Sequence, residues 1–178
     1  MKSITLSDGR LVQIREAVTD DAANIINYLD KIAAETDYLT FGPGELRISE
    51  KEQKTFIRRC LDDPRRVLYV AETDEEIVGA VDFRPGERPR VSHAGEFGVS
   101  VLKRFWGFGI GTELVRTLLT WAEQSGHVRK LNLKVRSDHS AAIHVYRKLG
   151  FADEGRIARE FFVEGRFFDA LCMGKCID

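Results

Sequence analysis

At 178 residues, 43% apolar and 31% charged, the chain is long enough to bury one sizeable core and too short for two ordinary domains. A formal net charge of −1 gives no basic field for nucleic acid or for an anionic membrane surface. No apolar run reaches the roughly 18 residues of a membrane span, and residues 1–8 hold no signal-peptide core, so a cytoplasmic protein with no nucleic-acid or membrane partner is expected. The three cysteines are odd in number; Cys172 and Cys176 lie four apart with no histidine nearby, so neither a disulfide framework nor a metal site is expected.

No repeat, low-complexity tract or linker divides residues 1–178, which read as one domain. Val12 and Ile14 suggest a short first strand after the Ser7-Asp8-Gly9 turn. Thr19 or Asp20 is placed to cap a helix with Ala22, Ile25, Ile26 and Leu29 on one face. After Gly42-Pro43-Gly44, Ser49 and Glu52 have capping-box spacing and open a second helix that stops before Pro64. Val67 to Ala71 is apolar throughout, as in a strand covered on both faces, and Ile77 to Phe83 pairs with it across the acidic turn Asp74-Glu75-Glu76.

A fourth strand runs from Ala94 to Val101 and breaks into Trp106-Gly107-Phe108-Gly109-Ile110-Gly111 before helical spacing resumes through Leu114, Leu118 and Ala122. Leu131, Leu133 and Val135 alternate with polar residues as a half-exposed strand; Ala141 to Leu149 is a short helix ended by Gly150. The tail reads as a hairpin, Phe161–Val163 and Phe167–Phe168 joined at Glu164-Gly165, with its last strand reaching Met173. Strands and helices alternate in the middle of the chain, which predicts a mixed α/β sheet covered by helices.

A glycine-rich strand-to-helix turn is a ready anion site, because the first turn of a helix presents unpaired N–H groups and the positive end of its dipole. Two familiar uses of such a turn fail here. A dinucleotide fingerprint needs glycine where Thr112 stands, and no Gly-Lys-Ser/Thr tripeptide occurs for a nucleoside triphosphate. The spacing that remains resembles the (Gln/Arg)-x-x-Gly-x-(Gly/Ala) motif of the GNAT superfamily of N-acetyltransferases, with Trp106 where glutamine or arginine is usual. Ala142-Ile143-His144-Val145-Tyr146-Arg147-Lys148-Leu149-Gly150-Phe151 is similar to that family's second signature, in the expected order, and the resemblance covers nearly the whole chain.

The resemblance implies a mostly antiparallel central sheet flanked by helices, with splayed strands at a cofactor site that takes acetyl-CoA as acetyl donor. Main-chain groups of Trp106, Gly107, Phe108, Gly109, Ile110, Gly111 and Thr112 would hold its diphosphate. Those of Val99 and Val101, with His139 where the family often has asparagine, would meet the pantetheine arm. Lys103, Arg104, Arg136, Arg147 and Lys148 lie in or beside the motifs and could reach phosphates. Tyr146 is the expected acid for the departing thiolate, and Glu96, opposite in face to Phe97 and Val99, the expected base for the amine.

The resemblance implies an acceptor pocket built from the connection of the first two helices, the fourth strand and the terminal hairpin, which here include Asp37, Tyr38, Phe41, Glu45, Glu160, Phe161, Phe162 and Phe168, a mixture of acidic and aromatic groups suited to a cationic amine. With no cysteine in either motif, direct transfer within a ternary complex to a primary amine, on a small molecule or a protein N-terminus, is the expected activity. The alternative is a non-catalytic acyl-CoA-binding or sensor module on the same fold. The final aromatic hairpin could support a homodimer, and its burial against the domain's own helices is equally consistent.

Overall fold

Eight strands form one sheet in the order β1-β2-β3-β4-β5-β6-β8-β7, in a computed structural model that describes residues 2–74 and 76–178. They are β1 (Lys2–Thr5), β2 (Leu11–Glu16), β3 (Val67–Thr73), β4 (Glu76–Pro85), β5 (Ala94–Val101), β6 (Lys130–Arg136), β7 (Ala152–Val163) and β8 (Arg166–Cys176). Glu75, in the expected acidic turn, lies outside the described residues. Every pairing is antiparallel except β5 with β6, so the sheet is mixed, as the sequence predicts.

Helices α1 (Ala22–Glu35), α2 (Glu50–Asp62), α3 (Ile110–Ser125) and α4 (Ser140–Lys148) cover the sheet. Side-chain alternation along the central strands assigns them to faces. Ser100 of β5 meets the Tyr28 hydroxyl of α1 at 2.7 Å on one face, and Phe83 of β4 packs on Trp121 of α3 on the other. Phe97 shares Phe83's face and packs against Tyr146 of α4. Ile110, Leu114, Val115, Leu118 and Ala122 bury α3's inner face; each such large aliphatic side chain contributes about 1.5–3 kcal/mol by leaving water.

Ser49 and Glu52 do form a reciprocal cap on α2, the Glu52 carboxylate accepting from the Ser49 amide at 2.8 Å. The start of α1 differs from expectation. Thr19–Asp21 is a 3₁₀ turn, and Asp21 reaches back to the Val18 amide at 2.8 Å while accepting both terminal nitrogens of Arg15. Arg15 also grips Glu72 on β3, so this ion-pair group ties the sheet to the helix start and outweighs a simple cap.

Candidate active site

The feature that organises the site is a failure of pairing. β5 and β6 are hydrogen-bonded partners only at Ala94↔Lys130, Gly95↔Leu131 and Glu96↔Asn132, and beyond Glu96 they part. On its other side β5 stays paired with β4 along its whole length. Antiparallel strands bond through alternate residues, and the Leu102 amide donates to Val78 O at 2.9 Å, so the even-numbered residues of β5 face β4. The main-chain groups of Phe97, Val99 and Val101 therefore open onto the gap. The splay is the one the resemblance implies.

At the end of β5 the chain enters the glycine turn. Gly107 and Gly109 take φ of +82° and +83°, a left-handed conformation that side-chain-bearing residues rarely adopt. A Cβ at either would meet no atom within 4 Å, so these glycines face open space rather than packed side chains. Gly109 caps α3 without a side-chain bond, and among the described residues the amides of 107–112 donate to no carbonyl or side chain. Six unspent N–H groups at a helix N-terminus are donors that could hold a diphosphate. Glu113, next in sequence, is neutralised by Lys2 and Arg116.

Trp106 fills the place of the usual glutamine or arginine in a different way. Its indole Nε1 donates to the Val101 carbonyl at 2.6 Å, pinning the turn to the end of β5. The Val99 and Val101 amides remain for a ligand in the gap.

Tyr146 and Glu96 stand on opposite faces of the sheet where the pairing ends. Tyr146 is buried edge-on against Phe97 and Phe151, with ring centroids 6.0 Å from each. Its hydroxyl bonds to no protein group among the described residues, and burial pushes the phenol up to about 12. Glu96 is exposed and has no ion-pair partner among the described residues.

Asp82 was not anticipated. It lies across from Gly98 in register, with Oδ1 3.3 Å from where a Gly98 Cβ would be, on the same face as Glu96. Burial raises its carboxyl group, against the opposing pull of Arg84, whose Nε donates to it at 2.7 Å. An aspartate in mid-strand carries no sequence sign of burial.

These features coincide with a family match. Residues 29–151, more than half of the chain, match the acetyltransferase (GNAT) family. The chain belongs to the GNAT family. A GNAT-family acetyltransferase structure from Streptococcus pneumoniae superposes with a TM-score of 0.91 at 32% identity, covering 94% of this chain and 99% of that one. The spermidine N(1)-acetyltransferase of Escherichia coli K12 is 28% identical over 162 residues, 91% of this chain and 84% of its own. The L-amino acid N-acetyltransferase AaaT of the same organism is 29% identical over 130 residues, 73% and 80% of the two chains. This GNAT chain is an acetyl-CoA-dependent N-acetyltransferase.

Among the expected acceptor residues, Tyr38 and Phe168 come together around Arg136. Phe162 does not join them: it pairs with Phe167 at a ring distance of 4.8 Å, on the opposite face of the terminal hairpin from Phe161 and Phe168, and is 65% exposed. Phe41 is half-buried, Glu45 closes a local turn on the Gly42 amide, and Glu160 pairs with Lys134. Of the cations expected near phosphate, Arg104 pairs with Glu76 and Arg147 with Asp153. Arg136 is buried and engaged elsewhere, donating to the Asp138 carboxylate and the Asp37 carbonyl, because a desolvated guanidinium must find partners within the protein. Among the described residues no cluster of histidine, cysteine and carboxylate side chains could hold a metal, and no helix is long and apolar enough to cross a membrane.

Proposed function

We propose that the protein transfers the acetyl group of acetyl-CoA directly to a primary amine, with Glu96 as base and Tyr146 as hydrogen-bond donor to the departing sulfur. The observation that carries this reading is the break between β5 and β6, flanked by Glu96 on one face and Tyr146 on the other. Acetyl-CoA supplies a thioester whose carbonyl carbon accepts the amine and whose sulfur leaves. The amides of residues 107–112 hold the diphosphate, and those of Val99 and Val101 orient the pantetheine arm and the thioester oxygen.

An alkylamine with a pKa of about 10.4 is neutral in fewer than one molecule in a thousand at pH 7, so Glu96 takes a proton, directly or through water, before or as the new bond forms. Tyr146 works by a hydrogen bond that strengthens as charge grows on sulfur. With the phenol at about 12 and a thiol near 8.5, complete proton transfer would be uphill by about 5 kcal/mol. Direct transfer is favoured by the cysteines: Cys60 is buried with its thiol pushed up to about 11, and Cys172 and Cys176 lie on β8, with β6 between them and β5.

An acetyl acceptor screen over small amines, polyamines, amino acids and peptide N-termini, read as mass gained by the acceptor, tests the activity. Intact-protein mass after acetyl-CoA alone tests the pathway: an acetylated enzyme able to pass its group to an amine would overturn direct transfer. Cofactor binding without turnover of any amine would favour the sensor instead.

A further inference from the structure

A short strap crosses the mouth of the gap, and the residue that fastens it is Arg136. The strap is the end of α1 and the residues after it, Glu35 to Tyr38. At one side the Glu35 carboxylate accepts the Lys103 amide at 2.7 Å, just beyond the end of β5. At the other side Asp37 O accepts from Arg136 Nη1 at 3.1 Å, at the end of β6. Tyr38 then stacks on His139, ring centroids 3.8 Å apart and planes 18° from parallel. Two strands that have lost their own hydrogen bonds are thus joined by a third segment.

Arg136 is the centre of this fastening. Its guanidinium carbon sits 4.4 Å from the Tyr38 ring centre and 4.0 Å from that of Phe168, and Nε and Nη2 grip Asp138 at 2.7 and 2.9 Å. A planar cation stacked against two rings and forked onto a carboxylate is a geometry that lysine cannot reproduce. The side chain is 8% exposed, so it spends its charge on holding the strap and is not available to solvent or to a phosphate.

We propose that Arg136 is a positioning residue for the acceptor: it locks Tyr38 against His139, so that the strap forms a fixed wall beside the gap on the α1 face, where Glu96 stands. The consequence rests on the acetyl-transfer reading above; the fastening itself does not. In R136Q the acceptor KM rises about tenfold, the loss of one charge-assisted, doubly stacked anchor, while kcat and the affinity for CoA change less than about twofold. R136K behaves like R136Q, because the fork and the plane are what matter. Y38A reproduces R136Q, and the double variant R136Q/Y38A is no worse than either, since both release one device.

The test takes spermidine, L-leucine and an alanine-initiated peptide amide as acceptors, CoA titrated by calorimetry, and hydrogen exchange followed over residues 36–42. Unchanged acceptor KM in R136Q, or equal losses in kcat, KM and CoA affinity, overturns the proposal. Unchanged exchange in residues 36–42 overturns it whether or not any of the three amines is acetylated. Should R136Q fail to fold, Y38A decides by the same readings. A wild-type protein that binds no CoA defeats the acetyl-transfer reading, and the exchange experiment still judges the fastening.

Discussion

Gly109→Ala tests the proposed diphosphate cradle separately from the fold that carries it. Gly109 sits at φ +83° and ψ 1°, and an added Cβ meets nothing within 4 Å. The cost to the unliganded protein is then backbone strain alone, about 1–2 kcal/mol for a side-chain-bearing residue in the left-handed region. For a chain of this size that lowers Tm by about 2–8 °C. The methyl group enters the open space at the turn, and displacing the diphosphate from one charge-assisted hydrogen bond of the proposed cradle would cost about 1.5–3 kcal/mol. CoA should bind about tenfold to hundredfold more weakly, by calorimetry well below the melting transition. Pantetheine, which lacks the diphosphate, should lose less than about twofold. Gly111→Ala is the contrast: its Cβ would make an ordinary 3.7 Å contact with Val101 inside α3, and the helix gains up to about 1 kcal/mol. Equal losses for CoA and pantetheine in Gly109→Ala, or none for either, would refute a diphosphate cradle at this turn.

Three further outcomes are expected. Tyr146→Phe keeps the packing against Phe97 and Phe151 and removes only the hydroxyl, so kcat should fall about tenfold to hundredfold with CoA affinity unchanged; unaltered turnover would remove the phenol from the mechanism. Glu96→Gln should cost roughly 100-fold with an alkylamine near neutral pH, the deficit shrinking as pH approaches the amine's own pKa, and a mutant-to-wild-type ratio that stays flat with pH would count against a base. Burial holds His139 below its ordinary value, against the upward pull of Asp138 and together with Arg136. Its neutral ring thus adds stability that is whole above the unfolded value of about 6.5 and is lost as pH falls through the folded one. Melting curves of His139→Asn should consequently drop less than wild type between about pH 7 and pH 5; parallel curves would contradict this.

The parts of the fold that sequence displays are those set by local chemistry. The reciprocal Ser49–Glu52 cap, the bounds of β5 and the start of α3 after Gly109 each follow from neighbours in the chain. β1 escapes notice because Lys2–Thr5 is four residues long with only Ile4 partly covered. The first nine residues of β7 escape too, since all are exposed and show no alternation. The glycine turn, Tyr146 and Glu96 were legible as candidates, and the structure brings them to one break in the sheet. What sequence hides is contact at long range. Asp82 takes its character from burial beneath other elements, and Arg136, which reads as a phosphate ligand beside a motif, is claimed by a carbonyl 99 residues away.

Trp106 gives the molecule an optical reporter of the proposed cradle. The indole is 44% exposed and hydrogen-bonded to Val101 at the threshold of the free amides, whereas Trp121 is half-buried on α3 against Phe83. Excited near the red edge of its absorption, the first fluorophore responds to a charged guest arriving beside it, and the second supplies a steady background. Occupancy of the turn is therefore readable as a change in emission, without a label and before any acceptor is known.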